Sequence, residues 1–245
     1  MPRLSPPLHR PQRDPIRGYR FPPDIIALAA RWYLRFRLRY ADVAALLAER
    51  GVGLDASTLD DGVREFTPLY QDAARPYRHA VGSSWSVDET DTQVAGKPVY
   101  VYRAIDERGQ VVDVDVSERR AATDAAAFCR RAVEATGVVP DAVTTDGAAA
   151  YPPALAAVLP GVLHETGKAV QQRIARDQQH RKSRLRPLRG FKTLAGARVL
   201  YAGHAFLRNL RGGDDDLGRR IGTVASPQPP VVQAWAVLTG SLLGR

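Results

Sequence analysis

Two aspartates offer the most directly readable chemistry in this chain. Asp88 lies in the segment WSVDET, where Trp85 and Val87 flank it as they would in a strand buried within a sheet. Asp146 ends the short apolar run AVTTD just before a glycine. Two carboxylates brought together from separate strands are a donor set suited to a hard divalent cation, Mg²⁺ or Mn²⁺. Such cations assist phosphoryl transfer by activating the attacking oxygen and neutralising the leaving one, which requires the acids at fixed positions. A second feature points to the same kind of substrate. Arg173, Arg176, Arg181, Lys182, Arg184, Arg186 and Arg189 follow one another at spacings that place several on one helical face, with Lys192 just beyond. Their planar, permanently charged guanidiniums suit a phosphate-tracking surface, the alternative being a merely solvated basic face.

The whole chain carries the same bias. Its 245 residues hold 35 Lys plus Arg against 26 Asp plus Glu, a formal charge of +9. A polyanionic partner, nucleic acid or an anionic surface, fits this excess, as does a generally basic surface. The fractions of hydrophobic and charged residues, 44% and 25%, are ordinary for a soluble protein, and no apolar run of membrane-spanning length occurs. The first twenty residues are basic and proline-rich without the apolar stretch of a secretory signal, so cytoplasmic, nucleoid-associated residence is expected and a membrane partner is not. The single cysteine, Cys129, excludes an internal disulfide framework and a cysteine-based zinc site. In AAAFCRRAVEA it reads as a small buried hydrophobe. His79, His164, His180 and His204 share no tight ligand spacing, which speaks against structural zinc.

Residues 1–20 read as a flexible basic arm. Over 21–75, three helices are expected. The first starts at Pro23 and carries Ile25, Ile26, Leu28, Ala29, Trp32, Tyr33 and Phe36 at helical spacing. The second stops at Gly51, and the third is capped by Asp55 or Ser57. The trio has the pattern of a helix-turn-helix DNA-binding subdomain. Its third helix, however, presents Asp60, Asp61 and Gly62 where base edges would be read, and two carboxylates facing phosphates repel. From about Ser84 the texture changes to three consecutive strands, then a helix over TDAAAFCRRAVEAT, a strand at DAVTTD, a helix over AAAYPPALAAVL, a strand near GVLHE and a long basic helix from about 170 to 186. The order βββαβαβα is that of an α/β, RNase H-like mixed sheet flanked by helices, here spanning 80–211 after the small all-α subdomain. Residues 212–245 form a C-terminal tail with a terminal helix that packs on the domain or on a second subunit.

WSVDET followed by GKPVYVYRAID, then TTDGAAAYPPAL and RLRPLRGFKT, together resemble the transposases of the insertion-sequence-six family, from about Tyr19 to Arg211. The resemblance implies a DDE catalytic domain with Asp88 and Asp146 as metal ligands for Mg²⁺ or Mn²⁺, and metal-dependent cleavage and strand transfer at insertion-sequence ends. The implied partners are double-stranded DNA, both the terminal inverted repeats and the target, and further copies of the chain on that DNA. One departure bears on activity. Where the family has Arg-Ile-Glu-x-Asp, this chain has Arg173-Ile174-Ala175-Arg176-Asp177, so the third acid is replaced by Ala175. Asp177 points about 200° around a helix from position 175, and nothing in the sequence brings Glu165 to the metals. The expectation is an inactivated or weakly active copy, the alternative a non-catalytic relic or co-opted transposase that only binds DNA or oligomerises.

Overall fold

The computed structural model describes residues 21–36, 38–166, 191–217 and 230–243. The basic arm, the helix expected from about 170 to 186 and its arginines lie outside the described residues. The chain divides into two compact units, residues 1–79 with 209–245 and residues 80–208.

The first unit is helical. Helix α1 (Pro23–Arg35) opens on proline, whose fixed φ suits a first turn and whose missing N–H is no loss there. It buries Ile26, Ala27, Ala29, Ala30, Tyr33 and Leu34, and stops before Phe36, which is exposed rather than part of the apolar face read from the sequence. Helix α2 (Tyr40–Ala48) is tied to α1 by the stacked rings of Tyr33 and Tyr40. Helix α3 (Ala56–Ala74) is capped by Asp55, whose carboxylate accepts from the Thr58 amide and the Ser57 hydroxyl, both at 2.7 Å. The segment read as a tail supplies a fourth helix, α7 (Pro230–Leu242), to this unit. Trp235 stacks on Tyr70 of α3 and donates its indole N–H to the Ala27 carbonyl of α1, while Thr239 meets the Tyr70 hydroxyl.

The second unit is a five-stranded mixed sheet. Strands β1 (Ser84–Val94), β2 (Lys97–Asp106) and β3 (Val111–Ser117) form an antiparallel meander. Strands β4 (Ala142–Thr145) and β5 (Leu163–Thr166) run parallel to β1, giving the order β3-β2-β1-β4-β5. This is the RNase H-like arrangement read from the element order. The β1–β2 turn holds Ala95 and Gly96 at φ 50° and 77°, the doubly left-handed geometry of a tight hairpin. Helices α4 (Ala122–Thr136) and α5 (Tyr151–Val158) cover one sheet face, where Phe128, Cys129 and Leu155 meet Trp85, Val87, Tyr102 and Ala104. On the other face Ala197 and Tyr201 of α6 (Leu194–Gly212) pack with Val94, Val99, Val101, Val114 and Val116. Among the described residues no helix is long and apolar enough to cross a membrane.

Candidate active site on strands β1 and β4

Asp88 lies in the middle of β1, on the sheet face covered by α6 because its neighbours Val87 and Glu89 take the other face. Directly across the ladder stands Arg103 of β2, and successive pairing puts the two side chains on the same face. Arg103 is 5% exposed, and a buried guanidinium needs counter-charge; the cross-strand carboxylate is placed to provide it. The sequence carried Arg103 only as a letter of the motif YRAID, with nothing to mark it as the partner of Asp88.

Asp146 follows the last residue of β4 and is exposed. The β1–β4 register pairs Ser84 with Ala142 and Ser86 with Thr144, so Asp88 lies two residues beyond the last pair on β1 and Asp146 two residues beyond it on the other side, just past the end of β4. The turn that presents Asp146 is specific. The Ala148 amide donates to Asp146 Oδ1 at 2.9 Å, Gly147 sits at φ 87°, and the Gly147 amide donates to Thr145 Oγ1, which also meets His164 Nε2 at 2.9 Å. His164 thus anchors the end of β4.

Glu89 belongs to this neighbourhood although sequence reasoning passed over it. Its side chain is 2% exposed, points to the α4–α5 face opposite Tyr102, and pairs with Arg120 from the β3–α4 loop. Burial pushes its carboxyl above the usual range, Arg120 opposes that, and Asp146 and Asp88 add to it. The same three acids, after burial, raise the Tyr151 hydroxyl, so Asp88, Glu89 and Asp146 share one electrostatic neighbourhood around the start of α5. A buried carboxylate is hard to foresee in a DET tripeptide, since alternation alone does not say which of two adjacent acids faces inward.

The remaining expected site residues are less fully placed. Glu165 is exposed on β5 beside Thr144, and among the described residues no three His, Cys, Asp or Glu side chains stand close enough together to hold a metal ion. Ala175 and Asp177, and the basic set Arg173, Arg176, Arg181, Lys182, Arg184, Arg186 and Arg189, lie outside the described residues, whereas Lys192 is exposed just ahead of α6. On α3 the exposed residues include Asp61, Glu65 and Asp72, and Asp60 is engaged by Arg64 at 2.8 Å. Gly62 has a packing reason: a Cβ there would stand 2.6 Å from Ile26 Cγ2, so glycine lets α1 and α3 approach.

Residues 82–214 match the family model DDE_Tnp_IS240, described as a DDE domain. The transposase for insertion sequence-like element IS431mec of Staphylococcus aureus is 35% identical over 192 residues, covering 74% of this chain and 85% of that protein. The transposase for insertion sequence element IS257 in transposon Tn4003, also of Staphylococcus aureus, is 34% identical over the same coverage. Among solved structures, the HTLV-2 integrase catalytic core domain in complex with magnesium aligns at a TM-score of 0.39 and 14% identity, over 64% of this chain and 99% of that one. At that score the likeness adds nothing to the topology already described.

Proposed function

The chain belongs to the insertion-sequence-six family of DDE transposases, and we propose that Asp88 and Asp146 are its ligands for a divalent cation, with Ala175 leaving the third position without a carboxylate. The observation that supports this reading is the parallel pairing of β1 and β4, whose register runs toward both aspartates within the segment matched by the family. Two carboxylates fit a hard cation such as Mg²⁺ or Mn²⁺ but complete the site only in part. The ion would neutralise charge on a phosphodiester undergoing displacement. The chain's own residues do the rest: Arg103 holds the face beside Asp88, and the Thr145–His164 contact and Ala148 amide fix the turn that offers Asp146.

The substrate of this reading is double-stranded DNA at the terminal inverted repeats of an insertion sequence, together with target DNA, handled by a homo-oligomer. The DNA grip is assigned to the basic stretch from Arg173 to Lys192 and not to α3, whose exposed acids repel phosphates. Loss of one metal anchor removes several kcal/mol of transition-state stabilisation, or several orders of magnitude in rate. The chain as written is therefore an inactivated copy. Ala175 also favours a second reading, a protein that retains DNA binding or self-association without cleavage.

Mn²⁺-dependent cleavage and strand transfer on the DNA flanking the gene tests both, comparing the natural chain with Ala175→Glu and with Ala175→Glu, Asp88→Asn. Cleavage by Ala175→Glu alone is the expected result. Cleavage by the natural chain would overturn the inactivation, and cleavage that survives Asp88→Asn would overturn the ligand assignment.

A further inference from the structure

Arg120 is an odd ion-pair member. Its guanidinium is 48% exposed, yet its partner Glu89 is 2% exposed and lies within the sheet–helix core beside Tyr102 and Tyr151. Burying a carboxylate costs free energy that a surface arginine does not need in order to stay soluble, and the pair recovers only part of it. What the arrangement provides is direction. The Arg120 Nε meets the buried carboxylate while roughly half of the side chain stays exposed, so the guanidinium is anchored yet reachable from the solvent side.

The topology decides where that side lies. Strand β3 runs parallel to β1 and β4, so the loop from Ser117 to Ala121 leaves the sheet at the same end at which Asp146 leaves β4. Asp146 and Asp91 are among the charges acting on Arg120, which agrees with that placement. The preceding Arg119 is turned to Asp124 at the start of α4 instead, so the two adjacent arginines are used differently.

We propose that Arg120 is a phosphate-binding residue of the Asp88–Asp146 site, with Glu89 as the positioning residue that aims its guanidinium at the DNA backbone. The inference rests on the reading of that site as DNA-directed. A guanidinium anchored by Glu89 at the end of the sheet where Asp146 emerges is suited to charge on a phosphodiester, because the ion pair restricts it before the nucleic acid arrives. A purely structural pair would tie β1 to the start of α4 and no more.

The test is fluorescence anisotropy across a salt series, using the full chain and a short labelled duplex of the DNA flanking the gene. The proteins are the natural chain, Arg120→Gln, Arg120→Lys, Glu89→Gln and a combined Arg173→Gln, Arg176→Gln variant, each checked by thermal melting. One lost phosphate contact lowers the slope of log affinity against log salt by about 1. Arg120→Gln is expected to show that drop with a several-fold weaker affinity, Glu89→Gln to follow it in affinity, and Arg120→Lys to keep the slope. If the natural chain binds, the basic-stretch variant weakens binding and Arg120→Gln leaves both slope and affinity unchanged, the inference falls while the DNA reading stands. If the natural chain fails to bind the duplex at all, the DNA reading falls and takes the inference with it. Should Arg120→Lys lose melting temperature and slope as fully as Arg120→Gln, the pair is structural and the proposal is overturned.

Discussion

Replacing Trp235 by alanine tests whether the C-terminal helix is part of the helical unit's core. The indole is 3% exposed and stacks on the fully buried Tyr70, ring centroids 4.2 Å apart and planes within 14°. Truncating a buried tryptophan to alanine costs about 3–5 kcal/mol, a range that already contains the packing of the ring. The indole N–H also donates to the Ala27 carbonyl at 3.1 Å. That carbonyl lies inside α1, where a helical amide also reaches it, so the lost bond adds only about 0.5–1 kcal/mol. Trp235→Ala should therefore destabilise the unit by about 4 kcal/mol, and Trp235→Phe, which keeps an aromatic face for Tyr70, by about 1–2 kcal/mol. Native-state hydrogen exchange reads this locally. Amides of α1 and α3 that exchange through opening of the helical unit should speed up by roughly a thousandfold in Trp235→Ala and by about tenfold in Trp235→Phe. Unchanged exchange in α3 would refute the assignment of α7 to this core.

Three further outcomes follow from the same structure. Gly62→Ala should lower the urea midpoint despite the gain of about 1 kcal/mol in helix propensity, because the new methyl meets Ile26 Cγ2; pairing it with Ile26→Ala should recover about 1 kcal/mol through coupling. The Asp55 carboxyl is held at about 2, below its usual 3.8, by the Thr58 amide first and the Ser57 hydroxyl next. A depressed folded value means the cap is fully present above the unfolded value and is lost as pH falls through about 2, so protection of the Thr58 amide should decline between about 4 and 2 in the natural chain and stay flat in Asp55→Asn. Burial raises the Cys129 thiol to about 11, so the native protein should resist a thiol-specific disulfide reagent at mildly alkaline pH and release its one thiol only on denaturation.

The parts of the fold that the sequence revealed are those governed by short-range rules. Alternation in SWSVDETDTQV and VVDVDVS marks strands, Gly96 after Ala95 marks the hairpin, and Asp55 marks the start of α3, because each is a local matter of pleat, turn geometry or cap. Asp88 and Asp146 were legible as strand-borne acids for the same reason. The sequence reads them as a donor set drawn from two strands, but the pairing of β4 beside β1 rather than at the sheet's edge is tertiary and no local rule gives it. Gly62 is ambiguous in the sequence: a helix-interior glycine has the same local cost wherever it stands, and its close approach to Ile26 is visible only in the fold. The inward turn of Glu89 and the cross-strand position of Arg103 are likewise tertiary, and single letters in a motif do not carry them.

The two halves of the candidate site are under different constraints. Asp88 is flanked by Val87, a core residue, and by Glu89, itself buried, and Asp146 follows directly on Thr144 and Thr145, which are buried. A change that moved either aspartate would disturb the packing of the sheet against α4 and α5. On the proposed reading the third acid is different in kind: its place, Ala175, comes from a separate segment of the sequence. On that reading a chain can lose the chemistry proposed for position 175 while the sheet that carries the two aspartates is unaffected. If that separation holds, Ala175→Glu will change activity without shifting the urea midpoint of the sheet unit by more than about 0.5 kcal/mol, the scale of substitutions outside a packed core. A large gain or loss of stability in Ala175→Glu would show that position 175 is bound up with the fold after all, and that the missing carboxylate is not simply a lost ligand.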